Sequence, residues 1–259
     1  MAKVVAASGN PFTAVSADER FRLVWRSWGL DKTGKNHFGL TGPGPIFGQY
    51  FDPAALEGVA EKFIRGDESV GGIPKEISAK FYRFRKNVGE DTAERMEACK
   101  ELRDEFVADY QYALKHARTI QWDETEFWAV CRFGEFGRES AKTREYGPIN
   151  DFYRGLILDA IDAGVNLQLI QKVKQAYKDD KPVDGAYLPT GFKEAGYIVQ
   201  LNVHHTWSLE EGFGIEIANC RQNMSLAGER FTTADSPGMT SFGAVAQMVY
   251  PDSTEEDWQ

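Results

Sequence analysis

A chain of 259 residues, 42% hydrophobic and 13% aromatic, is long enough for one large domain or two small ones and too apolar to stay disordered. Its formal charge of −9 excludes a protein coated in phosphate-binding cations and leaves room for a local basic stripe. Cys99, Cys131 and Cys220 lie far apart without a CxxC pair, which fits reduced thiols inside a cell. The apolar run near the N-terminus is too short for a signal peptide. No stretch approaches the roughly 20 apolar residues of a membrane span, so the expectation is a soluble, cytoplasmic protein.

Residues 10–30 hold the first predicted strand. In it Phe21, Leu23 and Trp25 alternate with Arg20, Arg22, Val24, Arg26 and Trp28. Residues 31–51 are rich in glycine and proline and read as a loop with fixed turns. The middle reads as helical. Asp52-Pro53 is a start signal, Leu56, Val59, Ala60 and Phe63 form an apolar face, and Gly66 ends it. A second helix is predicted over 74–89, from Ile77, Phe81, Phe84 and Val88. A third begins at Asp91 and Glu94 and carries Met96, Cys99, Leu102, Phe106, Tyr110 and Leu114 to about Arg118. Residues 124–142 fit helix or strand, and two more helices are predicted over 149–163 and 166–179, divided by Gly164. From about 186 the chain reads as β, with Tyr197–Val203, Phe213–Ala218 and Phe242–Val249 as strands. The expected divisions are an N-terminal strand and loop (1–51), a helical segment (52–180), a β region (181–250) and a flexible acidic tail (251–259).

Arg20, Arg22, Arg26 and Trp28 share one strand face. Three guanidiniums and an indole can follow a phosphate backbone and stack on a base; a half-buried strand with its arginines paired to acids fits the same residues. Lys80, Tyr82, Arg83 and Lys86 interleave charge with aromatics, and a solvated helix face is the competing reading. His204 and His205 point to opposite faces if they lie in a strand, which speaks against a shared metal. Gly42-Pro-Gly-Pro-Ile-Phe-Gly48 has the composition of a phosphate loop but lacks its Lys-Ser/Thr, and reads as a rigid surface loop. The tail carries Asp252, Glu255, Glu256, Asp257 and Trp258, an indole among carboxylates that suits partner docking. No catalytic constellation, metal site or cofactor is expected.

Gly196–Val203, Gly212-Phe-Gly-Ile-Glu-Ile217, Gly228-Glu-Arg-Phe231, Ser241-Phe-Gly243 and the acidic tail together resemble the OB-fold single-stranded-DNA-binding proteins of tailed phages. The resemblance implies an antiparallel barrel or sheet built from the N-terminal strand and the C-terminal region, an α+β fold with a large central helical insertion. It also implies a non-enzymatic protein that binds single-stranded DNA, with RNA left open, in phage replication or recombination. Replication proteins would dock on the tail, and a homo-oligomer is open. A viral capsid, nucleocapsid or tail component is the alternative, and an enzyme with a dispersed site is the third class.

Overall fold

The computed structural model describes residues 21–85 and 91–258, with the side chain of Glu255 left aside. Its centre is an open sheet of eight strands in the order β10-β9-β8-β1-β5-β4-β2-β3. These are β1 (Val24–Gly29), β2 (Ile46–Tyr50), β3 (Ile77–Phe81), β4 (Thr119–Asp123), β5 (Asn166–Gln171), β8 (Leu201–Ser208), β9 (Gly212–Cys220) and β10 (Arg230–Thr232). A separate hairpin pairs β6 (Val173–Lys178) with β7 (Lys181–Pro189).

Strands β3, β2, β4, β5, β1 and β8 run parallel, while β9 and β10 are antiparallel additions. This corrects the expected antiparallel OB-like barrel. Parallel neighbours need crossover connections, and the helices between the strands supply them. They are α1 (Lys35–Leu40), α2 (Ala60–Arg65), α3 (Thr92–His116), α4 (Glu124–Phe136), α5 (Gly147–Ala163) and the turn α6 (Ala195–Ile198); α7 (Phe242–Val249) follows the last strand. The central helical block is therefore interleaved with strands and is not an insertion. Among the described residues no helix is long and apolar enough to cross a membrane.

Both faces of the sheet are covered, which is why its central strands lack clean alternation. One face packs Val24, Ile120, Trp122, Leu167 and Leu169 against Phe106 and Tyr110 of α3, Phe127 of α4 and Tyr153 of α5. The other packs Trp25, Leu201, Val203 and Ile217 against Phe38 of α1 and Val245 of α7. The predicted capping of α3 holds, with the Asp91 carboxylate accepting from Glu94 N–H at 2.9 Å. Gly164 closes α5 at φ 68°. Residues 124–142, open in the sequence, begin as helix α4.

Residues 31–51, expected as a loop, hold α1 and β2; the helix expected from Asp52-Pro53 begins only at Ala60, after turns at 53–59; and Ala195–Ile198, expected as strand, form the turn α6. Three further segments change type. Residues 77–81 pair with β2 as an edge strand, because the 4-residue spacing of Ile77 and Phe81 is met without helix; Phe81 stays 43% exposed. Residues 166–178 form β5 and β6, since the fully buried β5 reads as a continuous run that suits either structure. Residues 242–249 form α7. Ser241 caps it, and Phe242, Val245, Ala246 and Val249 fall at helical spacing on its buried side.

Polar side chains cross the sheet in one line. Tyr50 Oη on β2 donates to Gln121 Oε1 on β4, and Gln121 Nε2 donates to Gln168 Oε1 on β5 at 2.9 Å. Gln168 Nε2 donates to Ser27 Oγ on β1 at 2.8 Å, and His205 Nε2 on β8 lies 3.0 Å from the same hydroxyl. The two glutamine amides also donate upward to α1, Gln121 to the Asn36 carbonyl at 3.1 Å and Gln168 to the Lys35 carbonyl at 2.9 Å. Gly39 lets the helix come this close, since a Cβ there would stand 2.0 Å from both Gln121 Nε2 and Gln168 Oε1. Gly39→Ala is expected to destabilise by about 1–3 kcal/mol through overpacking. Gly155→Ala in α5, where a Cβ meets nothing within 4 Å, should be neutral or stabilising by up to about 1 kcal/mol. Urea midpoints of the two variants that fall together would refute the assignment.

Candidate functional site

In open parallel sheets, ligands gather at the carboxyl ends of the strands, where the chain leaves in opposite directions. Here that place is the end of β1. The chain runs from β1 to β2 on one side and reaches β8, on the other flank of β1, only after β5.

The segment that leaves β1 is Gly29-Leu-Asp-Lys-Thr-Gly34-Lys35-Asn36, and it enters α1 at Lys35. Strand, G-x-x-x-x-G-K and helix in this order are the parts of a phosphate-binding loop, with Asn36 where that pattern has Ser or Thr. The backbone supports the reading. Gly34 adopts φ 84° and Lys32 φ 61°, left-handed conformations that fold the loop back on itself. A Cβ on Gly29 would lie 2.3 Å from the His205 carbonyl, so the strand end also requires glycine. Thr33 Oγ1 ties the loop internally by donating to the Leu30 carbonyl at 2.8 Å. The Lys35 ammonium arches over the loop to the Gly29 and Leu30 carbonyls at 2.9 and 2.6 Å. Burial lowers its pKa, opposed by Asp31 and Asp123. Asn36 Nδ2 donates to the Ala55 carbonyl at 2.8 Å, which fixes the amide plane.

Asp123 ends β4, with β5 between it and the loop strand. It is 8% exposed and accepts from Phe51 N–H at 3.3 Å. Burial raises its pKa to about 6, opposed by Lys172. Lys172, just past β5, pairs with Glu126 at 2.6 Å. Cations and carboxylates from β1, β4 and β5 thus converge at one sheet end.

Glu124 follows Asp123 and turns elsewhere. Its Oε1 accepts from Phe192 N–H at 2.8 Å, and its Oε2 is buried without a hydrogen-bond partner. Gly191, at φ 102°, makes room, because a Cβ there would stand 2.0 Å from that oxygen. Burial pushes the Glu124 carboxyl up to about 8, against the Phe192 N–H that lowers it.

The residues expected to contact nucleic acid do not form one surface. Arg20 and Lys86 lie outside the described residues. Arg22 and Arg26 are half-buried, each with its Nε enclosed and unpartnered. The Arg26 guanidinium packs on Gly196, and burial lowers its pKa, opposed by Glu124. Trp28 stacks on His204 at 4.0 Å. The alternation of β1 is real, yet the strand is central and both its faces are covered. At the far edge, Lys80 pairs with Glu105 and Asp109 at 2.8 and 2.5 Å. Tyr82 is 4% exposed and donates to Asp109 at 2.7 Å, while Arg83 is exposed. Strands β5, β4 and β2 separate these residues from Arg26.

The tail folds back. Trp258 is 3% exposed, packs on Phe242 at 5.7 Å and donates to Ser253 Oγ at 2.7 Å. The Asp257 carboxylate accepts from Thr254 N–H at 2.7 Å, leaving Asp252 and Glu256 exposed. An indole can fill an open corner of the core even in an acidic stretch. His204 and His205 do face opposite ways: His204 lies 3.5 Å from Glu216, while His205 is buried and held neutral, its pKa lowered to about 3 by burial.

Of the expected surface loop over 42–48, only residues up to 45 link α1 to β2, while Ile46, Phe47 and Gly48 belong to the strand, with Ile46 and Gly48 buried. The phosphate-loop pattern stands at 29–36, where the reading of 31–51 as one glycine-proline loop passes over it. The signal was present in Gly29, Gly34 and Lys35; Asn36 in the hydroxyl position hid it.

A carboxyl whose folded pKa exceeds its unfolded value adds stability below the unfolded value and loses it as pH rises through the folded one. Glu124→Gln keeps the acceptor for Phe192 and removes this titration. The variant should gain on the wild type between about pH 4.5 and 8, by at most about 1.4 kcal/mol per pH unit. Urea midpoints at pH 5 and pH 8 check this, and a variant-minus-wild-type midpoint that stays flat or falls toward pH 8 counts against it.

No protein-family model matches the chain, and no curated protein sequence matches it.

Proposed function

We propose that this protein binds a nucleoside triphosphate through Gly29–Asn36 and hydrolyses its terminal phosphoanhydride. One observation carries the reading: Lys35 follows a G-x-x-x-x-G loop at the end of the central parallel strand, within the electrostatic reach of the buried Asp123 at the end of β4. In this arrangement the loop backbone and its lysine cradle the β- and γ-phosphates. Water attacks the γ-phosphorus and the β–γ bridging oxygen leaves with the electron pair, giving the nucleoside diphosphate and inorganic phosphate, with the water's proton released to solvent. This departs from the expectation of a non-enzymatic protein.

Such sites work with Mg²⁺, which takes hard oxygen donors, one or two from protein and the rest from phosphate and water. Asn36 Oδ1 and the Asp123 carboxylate fit that donor set. Among the described residues no group of three or more His, Cys, Asp or Glu side chains is placed to hold a metal by itself. The ion would neutralise charge developing on the phosphate oxygens. Lys35 orients the phosphates by its ammonium. Glu124, turned to Phe192, serves the Gly191–Phe192 loop instead of the phosphates.

Lys35→Ala should weaken Mg-ATP binding at least tenfold in calorimetry. Asp123→Asn should retain binding and lose at least tenfold in phosphate release. Wild-type protein that neither binds Mg-ATP nor releases phosphate from it would end the proposal.

Single-stranded DNA remains a second reading on a different surface. The β6–β7 hairpin leaves directly from β5 and presents exposed Lys174, Lys178 and Lys181 with Tyr177 at 66% exposure. Cations and a free ring suit a phosphate backbone and its bases. Alanine at the three lysines should weaken oligo-dT binding at about 50 mM salt and flatten its salt dependence. Unchanged titrations would remove this surface.

A further inference from the structure

A small, partly open cleft lies beside the phosphate loop, lined by Gly34, His37, Phe213, Ile215, Thr233 and Thr240. We infer that it seats the base of the bound nucleotide, stacked on Phe213; this rests on the phosphate-loop reading and adds the class of nucleotide.

The placement comes from Gly34. This residue precedes Lys35, and a Cβ on it would stand 3.1 Å from Phe213 Cδ1. The Phe213 ring therefore lies against the bare backbone of the loop that holds the phosphates. A nucleotide anchored at Lys35 projects its sugar and base past this ring or not into the cleft at all. Phe213 is 45% exposed in spite of its size, at a position where β9 pairs Trp207 of β8, itself 52% exposed. A ring with open surface beside a phosphate site offers stacking that is indifferent to the identity of the base.

The remaining lining sets the selectivity. Thr233 Oγ1 accepts from Phe213 N–H at 3.1 Å and donates to the Glu211 carbonyl at 3.3 Å, while Thr240 Oγ1 donates to the Pro237 carbonyl at 3.1 Å. Both hydroxyl protons are thus taken inside the protein. The His37 ring meets Phe63 edge-on at 5.2 Å, and its pKa is lowered by burial and then by Lys62. With stacking on Phe213 as its main contact, the cleft takes purines ahead of pyrimidines and separates ATP from GTP poorly.

Calorimetry with ATP, GTP, CTP and inorganic tripolyphosphate, each with Mg²⁺, tests this. Wild-type protein should bind ATP and GTP within about threefold of each other and CTP more weakly. Phe213→Ala should weaken ATP and GTP about tenfold, the stacking of one base, and leave tripolyphosphate unchanged. Phe213→Tyr should restore the affinity, and unfolding midpoints confirm that both variants fold. Unchanged ATP affinity in Phe213→Ala, with binding still lost in Lys35→Ala, overturns the base assignment and spares the loop. Equal losses for ATP and tripolyphosphate overturn it also, because the ring would then only support the loop. If wild-type protein binds neither ATP nor tripolyphosphate, the phosphate-loop reading itself fails.

Discussion

The glutamine line under α1 holds the rest of the structure in place. Tyr50, Gln121, Gln168, Ser27 and His205 come from five consecutive strands of the sheet and are joined by side-chain hydrogen bonds from β2 to β8. Ser27 Oγ accepts from both Gln168 Nε2 and Trp25 Nε1, so its own proton goes to His205 Nε2, consistent with a neutral imidazole. Buried polar groups cost about 1–3 kcal/mol each when unsatisfied, so the line favours one alignment of neighbouring strands. Its spare donors take the first carbonyls of α1, which fixes Lys35 above β1 and at a set distance from the end of β4.

Two adjacent carboxylates at that end have different environments. Asp123 faces the loop side, touched by Phe51 N–H and by the fields of Lys172 and Lys35. Glu124 is wholly buried and binds the backbone of Phe192, the return from the β6–β7 hairpin. The turn from strand to helix between them sends their side chains apart. The Gly191–Phe192 loop therefore packs against the same strand end as residues 29–36. Arg26, which the sequence suggests as a contact residue, lies in the field of Glu124 and under Gly196.

Much of the helical layer is legible in the sequence because its signals are local. Asp91 caps α3, Phe106 and Tyr110 lie on its buried stripe, and Gly164 ends α5 in a left-handed turn. The pairing partners are not legible in this way. β5 is buried along its whole length, so its apolar run carries no period to separate strand from helix. Trp258 sits among acids and still reaches the core, because a single indole needs only one vacant corner beside Phe242 and Tyr250.

By itself the sequence determines the start of α3 at Asp91, the ends of α2 at Gly66 and α5 at Gly164, that β1 alternates, and that adjacent histidines diverge, since each follows from backbone geometry over a few residues. It also holds the glycines and lysine of residues 29–36. Only the tertiary structure decides that β1 is central and parallel, that its arginines are enclosed, and that Asp123 comes to rest near Lys35. Those outcomes depend on which distant strands pair, and that is settled by burial and hydrogen bonding over the whole sheet.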